Sequence, residues 1–182
     1  MIARIALVAV FTLPLFTAPA LAADPALDQL FNRLSETTDR QEAARVEAAI
    51  TRALAKSGSA TADLLLERGT TAMNKGDYDA ALDAFNKVIT LAPEFVEGWN
   101  RRATLYFMMG RLNASIADID RTLALEPRHF GALAGLGQIY IILGRPNDAT
   151  KAFQRALAAD PYLASARQFL DALRKQAGDV AL

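Results

Sequence analysis

The 182-residue chain has no cysteine, one histidine and one tryptophan. Without cysteine there is no disulfide framework, no thiol nucleophile and no thiolate metal site, so stability has to come from a packed core. One histidine excludes a two-histidine metal site and a histidine relay built from this chain alone. No serine lies in a G-x-S-x-G elbow, and no glycine-rich loop has the spacing of a phosphate cradle. Gly131, Gly135 and Gly137 fall on a helical pattern rather than after a strand, which excludes a dinucleotide fingerprint. Asn113-Ala114-Ser115 fits the N-glycosylation pattern, but it opens a helical stretch and reads as a chance match. The acidic residues are dispersed, with nothing to set one carboxylate's pKa against another. Lysine plus arginine and aspartate plus glutamate number 20 each, so no net charge draws the chain to nucleic acid or anionic lipid. The expectation is a protein that is not an enzyme and holds no cofactor or metal.

Long apolar runs are also scarce, and the one present is short. Ile5 to Phe16 is interrupted only by Thr12 and Pro14, follows Arg4, and leads to Ala20-Leu21-Ala22. That is the layout of an export signal with a small-residue cleavage site. The run falls short of the roughly 20 residues that cross a bilayer, and no cysteine follows it to carry a lipid. Residues 1–22 are therefore expected to be removed, with the mature chain starting near Ala23 and not inserted in a membrane. What remains has the size of one domain.

From Ala62 to Leu163 one unit recurs at a spacing of 34 residues. Pro93, Pro127 and Pro161 keep that spacing, as do Gly76, Gly110 and Gly144. Leu65, Trp99 and Leu133 are large; Gly69, Ala103 and Gly137 are small. Ala81, Ser115 and Ala149 are small again, followed by Phe85, Ile119 and Phe153. Each copy holds two apolar-periodic stretches of helical length. The glycine stops the first helix and the proline ends the second. Small residues let helix backbones approach, and large ones, Trp99 among them, are expected to be buried between copies. One such hairpin cannot cover its own apolar face, so copies must stack.

This period and pattern resemble the tetratricopeptide repeat. The resemblance implies an all-α, right-handed solenoid of helical hairpins, with repeats at 62–95, 96–129 and 130–163. Residues 23–61 read as an N-terminal helical pair. There Leu27, Leu30, Phe31 and Leu34 form one stripe and Val46, Ile50, Ala53 and Leu54 another. The pair is either a degenerate leading repeat or a hairpin capping that end. Residues 164–182 supply a capping helix, with Leu170 and Leu173 on its apolar side, and a tail.

Arrays of this family hold extended peptides or helices in a concave groove lined by their first helices. The implied groove residues are Thr70 and Met73, then Asn100, Arg101, Thr104, Phe107 and His129, then Gly131, Ala134, Gln138 and Ile141. Leu66 and Thr70 stand where the carboxylate-clamping subgroup carries lysine and asparagine, so that clamp is not expected. Arg102 occupies a position usually filled by a buried leucine. Either it pairs internally, with Asp118, Asp120 or Glu126 as candidates, or it reaches an acidic ligand group. His129 is either a turn residue packing on Trp99 or a donor at the groove wall. Gly137 is explained by packing; Gly131 and Gly135 are not, and would open the groove. The chain also resembles small exported tetratricopeptide proteins of Gram-negative bacteria. It is read as a periplasmic interaction or scaffolding module binding a protein or peptide partner, in envelope assembly or upkeep. The alternatives are an accessory subunit of an envelope enzyme and a carrier of a small molecule or haem peptide.

Overall fold

Asp24, Asp39, Ser59 and Asp77 each accept a backbone N–H from the first turn that follows, satisfying a donor that the helix itself leaves orphaned. A computed structural model describes residues 24–179, with side chains to residue 176; the export-signal segment lies outside the described residues. All regular structure in that span is helical: α1 (Pro25–Glu36), α2 (Arg40–Leu54), α3 (Ala60–Asn74), α4 (Tyr78–Leu91), α5 (Val96–Met108), α6 (Leu112–Leu125), α7 (Phe130–Ile142), α8 (Pro146–Ala159) and α9 (Ala164–Asp179). No helix among the described residues is long and apolar enough to cross a membrane.

The pairs α3–α4, α5–α6 and α7–α8 are hairpins that stack in order, and α9 closes on α8. Gly76, Gly110 and Gly144 turn the chain within each pair at φ of 79°, 71° and 67°, a region that favours glycine. Ala81, Ser115 and Ala149 are buried where the paired helices cross, and Phe85 and Phe153 fill the space beside them. The fit around the phenylalanines is close. A Cβ at Gly69 would stand 2.5 Å from the Phe85 ring, and one at Gly137 2.6 Å from that of Phe153. These glycines carry the helix–helix approach.

The α1–α2 pair departs from the expectation of a leading repeat or end cap. Its core of Phe31, Leu34, Ala43, Val46, Ile50 and Leu54 is covered by Val96, Phe130 and Tyr162. Those residues sit just after Pro93, Pro127 and Pro161, so the pair lies along the edge where successive hairpins are joined. Phe31 meets Phe130 edge-on at 6.4 Å. Arg128 pairs with Asp28 and stacks over Phe31, and Tyr162 Oη donates to the Thr37 carbonyl at 2.8 Å. The α1 stripe shows in sequence that one face is buried; the surface that covers it comes from corner residues far along the chain.

Candidate binding groove

Helices α3, α5 and α7 adjoin one another as a row on one side of the stack. Between α5 and α7, with α6 as floor, lies a cavity of about 370 Å³ lined by Asn100, Ala103, Thr104, Phe107, Met108, Ser115, Ile119, Gly131, Ala132, Gly135, Gln138 and Ile139. Its origin is local. The middle copy has Ile119 where the others have Phe85 and Phe153, and the shorter side chain leaves space that a ring would occupy. Ser115 Oγ donates to the buried Ala103 carbonyl at 2.7 Å, holding α6 against α5 despite the smaller filler. On the α7 side the wall has no Cβ at two positions. A carbon added at Gly135 would meet only Ile119 Cδ1, at 3.9 Å, and one at Gly131 only the His129 ring, at 3.5 Å.

A buried carboxylate ties the two walls together at their N-terminal ends. Glu97 is 5 % exposed, and its oxygens face Arg101 Nε at 2.6 Å, Asn100 Nδ2 at 3.1 Å and His129 Nε2 at 3.2 Å. His129 is the N-cap of α7: its Nδ1 accepts from Ala132 N–H at 3.1 Å. That leaves Nε2 as the protonated nitrogen, donating to Glu97. Burial alone would push the Glu97 carboxyl up. The His129 hydrogen bond, the Arg101 charge and the Asn100 hydrogen bond outweigh it and hold the group below its ordinary value.

Of the groove residues expected from sequence, Asn100, Thr104, Phe107, Gly131 and Gln138 line this one cavity. Arg101 is beside it, 34 % exposed and paired with Glu97. Thr70 is half-buried on α3, its hydroxyl donating to the Leu66 carbonyl at 2.8 Å. Four residues are placed elsewhere. Met73, in the last turn of α3, joins the core of Leu66, Ala81 and Phe85, because the helix turns that side onto α4. Ile141 packs against the core of Leu133, Ala149 and Phe153. His129 is only 6 % exposed and bonded at both ring nitrogens, so it braces the groove from behind. Ala134 is buried in the same core as Leu133.

Two neighbours resolve the remaining alternatives. Arg102 makes a bidentate pair with Asp118, at 2.7 and 2.9 Å, and donates to Asn86 Oδ1 at 2.7 Å. It joins α4, α5 and α6 internally rather than pointing into the cavity. Trp99 is half-buried, not enclosed between copies. Its indole N–H donates to the Pro93 carbonyl at 2.8 Å, and Arg102 and Arg121 lie over its ring. Sequence reading missed Glu97, which looks like one more exposed charge, and Ile119, whose contrast with Phe85 and Phe153 was the available signal. Among the described residues, no group of three His, Asp or Glu is placed to hold a metal ion.

The family description "Tetratricopeptide repeat" matches this sequence twice, over residues 62–95 and over residues 100–164, together more than half of the chain. The chain belongs to the tetratricopeptide-repeat family. A TPR repeat-containing protein of Rhizobium etli is 40 % identical over 94 residues, which span 52 % of this chain and 46 % of that protein. The tetratricopeptide chain thus matches about half the length of that curated relative. Among solved structures, the first TPR domain of Spaghetti (RPAP3), bound to the HSP90 peptide SRMEEVD, superposes with a TM-score of 0.62 at 24 % identity, covering 65 % of this chain and 94 % of that one. The crystal structure of MamA gives 0.58 at 26 % identity, covering 65 % and 64 %. The Sgt2 TPR domain from Aspergillus fumigatus gives 0.63 at 18 % identity, covering 68 % and 83 %. The tetratricopeptide fold is common to all three.

Proposed function

We propose that this tetratricopeptide protein is an interaction module that holds a peptide segment of a partner protein in the groove between α5 and α7. Asn100, Thr104, Phe107, Gly131 and Gln138 contact the ligand, Arg101 stands at the rim, and Thr70 extends the row on α3. One observation carries the reading: the cavity of about 370 Å³ lies within the size range of ligand pockets, is walled mainly by apolar groups, and is also lined by the amides of Asn100 and Gln138 and the hydroxyl of Thr104. The Spaghetti domain, similar in fold, holds a peptide, which supports the same class of ligand here. The reading is of a binding module rather than a catalyst, because the sequence offers no nucleophile paired with a base.

The features of Met1 to Ala22 support export, and the proposed location is a periplasm, in assembly or upkeep of the envelope. The secreted form should begin near Ala23, and intact Met1 in protein from that compartment would overturn the location. For the groove, the experiment is amide hydrogen exchange on the full chain with and without peptides selected from a random linear library. Protection concentrated on α5 and α7 is expected. Protection confined to α1, α2 or α9 would place the ligand elsewhere and sink the reading.

A further inference from the structure

The α7 helix carries glycines that its own packing does not call for. Each glycine inside a helix costs about 1 kcal/mol relative to alanine. Three others have a steric reason: a Cβ at Gly69, Gly98 or Gly137 would stand 2.5, 2.8 or 2.6 Å from Phe85, Val88 or Phe153. Gly135 has none, since its added carbon would be in ordinary contact with Ile119 at 3.9 Å. Gly131 is similar, at 3.5 Å from His129. Both line the cavity, and their bare backbone is what keeps its α7 wall open.

The charge around the cavity narrows what enters. None of its lining residues is ionisable. Two charges beside it are matched to each other: Arg101 lies on Glu97, and Glu97 also takes Asn100 and His129. A carboxylate or ammonium group placed inside would lose water and gain no counter-charge, which costs several kcal/mol. Neutral hydrogen-bonding groups remain in the cavity lining. Asn100 commits Nδ2 to Glu97, leaving its amide oxygen as an acceptor, and Gln138 has no partner among the described residues. An acceptor on one wall and a donor–acceptor pair on the other suit the N–H and C=O groups of a peptide backbone.

We infer that the groove takes an uncharged stretch of a partner's chain, which buries one large aliphatic or aromatic side chain between Phe107, Ile119 and Gly135 while Asn100 and Gln138 hold its backbone. The inference rests on the groove being a peptide site, and it sets this chain apart from binders of acidic tails.

The probe is a random linear peptide library panned against the full chain, followed by binding measurements on the selected peptides. The expected consensus is neutral with one large apolar residue. Replacing that residue by alanine should weaken binding about 10- to 100-fold, the equivalent of burying one such side chain. Gly135→Leu fills the cavity and should abolish binding while leaving Tm at or above that of the parent. If Gly135→Leu does not fold, Gly135→Ala carries the test, with raised Tm and reduced affinity. A charged consensus, or affinity indifferent to both Gly135 variants, overturns the inference while leaving peptide binding intact. Failure to select any peptide overturns the peptide reading together with it.

Discussion

The phenol of Tyr162 donates to the backbone carbonyl of Thr37 at 2.8 Å, across 125 residues of sequence. It closes the last corner of the array onto the turn between α1 and α2. Arg128–Asp28 and Phe31–Phe130 do the same at the middle corner, and Val96 packs on the pair beside the first. In a plain solenoid each repeat touches only its neighbours, and stability is a sum of local terms. Here one hairpin touches all three corners, so the first and last repeats are coupled through it. Tyr162→Phe should cost about 1 kcal/mol, the typical net worth of one hydrogen bond. It should also speed amide exchange in α1 and α2 before α5. Unchanged exchange in α1 and α2 would show that the hairpin is held by its apolar face alone.

The same corner carries a carboxylate at odds with its surroundings. Asp160 is 0 % exposed; Oδ1 accepts from Tyr162 N–H at 2.9 Å, and Oδ2 has no hydrogen-bond partner. Burial pushes its pKa up against that one hydrogen bond, and Glu47 on α2 is raised by burial and by the charge of Asp160. Groups raised in the folded state bind more protons folded than unfolded in the window just above the ordinary carboxylate range. Stability should therefore rise as pH falls from neutral into that window. Glu97 works in the opposite sense: its lowered pKa gives stability that is lost as pH falls through its folded value, below the ordinary range. The Tm of the protein should pass through a maximum on the acid side of neutrality, and Asp160→Asn should raise Tm at neutral pH and flatten the rise. A Tm that falls steadily from neutrality downwards would contradict this.

The repeat was legible because its marks are steric and recur. Glycines at positive φ, prolines at corners and small residues opposite rings leave a 34-residue signature that needs no partner to be read. The docking of α1 and α2 was not legible. An apolar stripe such as Phe31 and Leu34 declares a buried face but not the surface that meets it, and here that surface is assembled from three distant turns. The groove was read in part. A helix register fixes direction to within one residue's rotation, enough to place Asn100, Thr104 and Gln138 on one wall or its neighbour. It does not separate Met73 and Ile141, whose sides are claimed by core contacts with their own hairpin partners. The pairing of Glu97 with His129 was hidden for another reason, since two polar residues 32 positions apart declare a buried pair only once α5 and α7 are adjacent.

Gly137 and Phe153 provide a check on the packing account. An alanine at 137 gains helix propensity of about 1 kcal/mol, but its Cβ would stand within 2.6–2.8 Å of three ring atoms of a fully buried Phe153. Overpacking of this kind costs about 1–3 kcal/mol, so Gly137→Ala should lower Tm. Gly137→Ala paired with Phe153→Leu should recover part of the loss, because the shorter side chain vacates the space. A raised Tm for Gly137→Ala alone would mean that the ring moves freely and that the close approach of α7 and α8 is not set by this glycine.

The two adjacent arginines give a crossed test of structure against binding. Arg102 is 17 % exposed, and its partner Asp118 is 6 % exposed and held by both Nε and Nη2 along one edge of the guanidinium. Arg102→Ala leaves that carboxylate buried without its counter-charge, and breaking such a pair typically costs about 3–5 kcal/mol. Arg102→Lys should rescue only part, since an ammonium cannot reproduce the bidentate fork or the approach to Trp99 and Tyr106. Arg101 differs because Glu97 keeps His129 and Asn100 when it is removed. Arg101→Ala should therefore destabilise the fold less than Arg102→Ala. With an uncharged ligand in the cavity it should change peptide affinity little, whereas Gly135→Leu should abolish binding. Melting temperatures and peptide titrations on these four variants decide the matter. If Arg101→Ala alone abolishes binding in a folded protein, the ligand carries an acidic group, and the rim rather than the cavity is what recognises it.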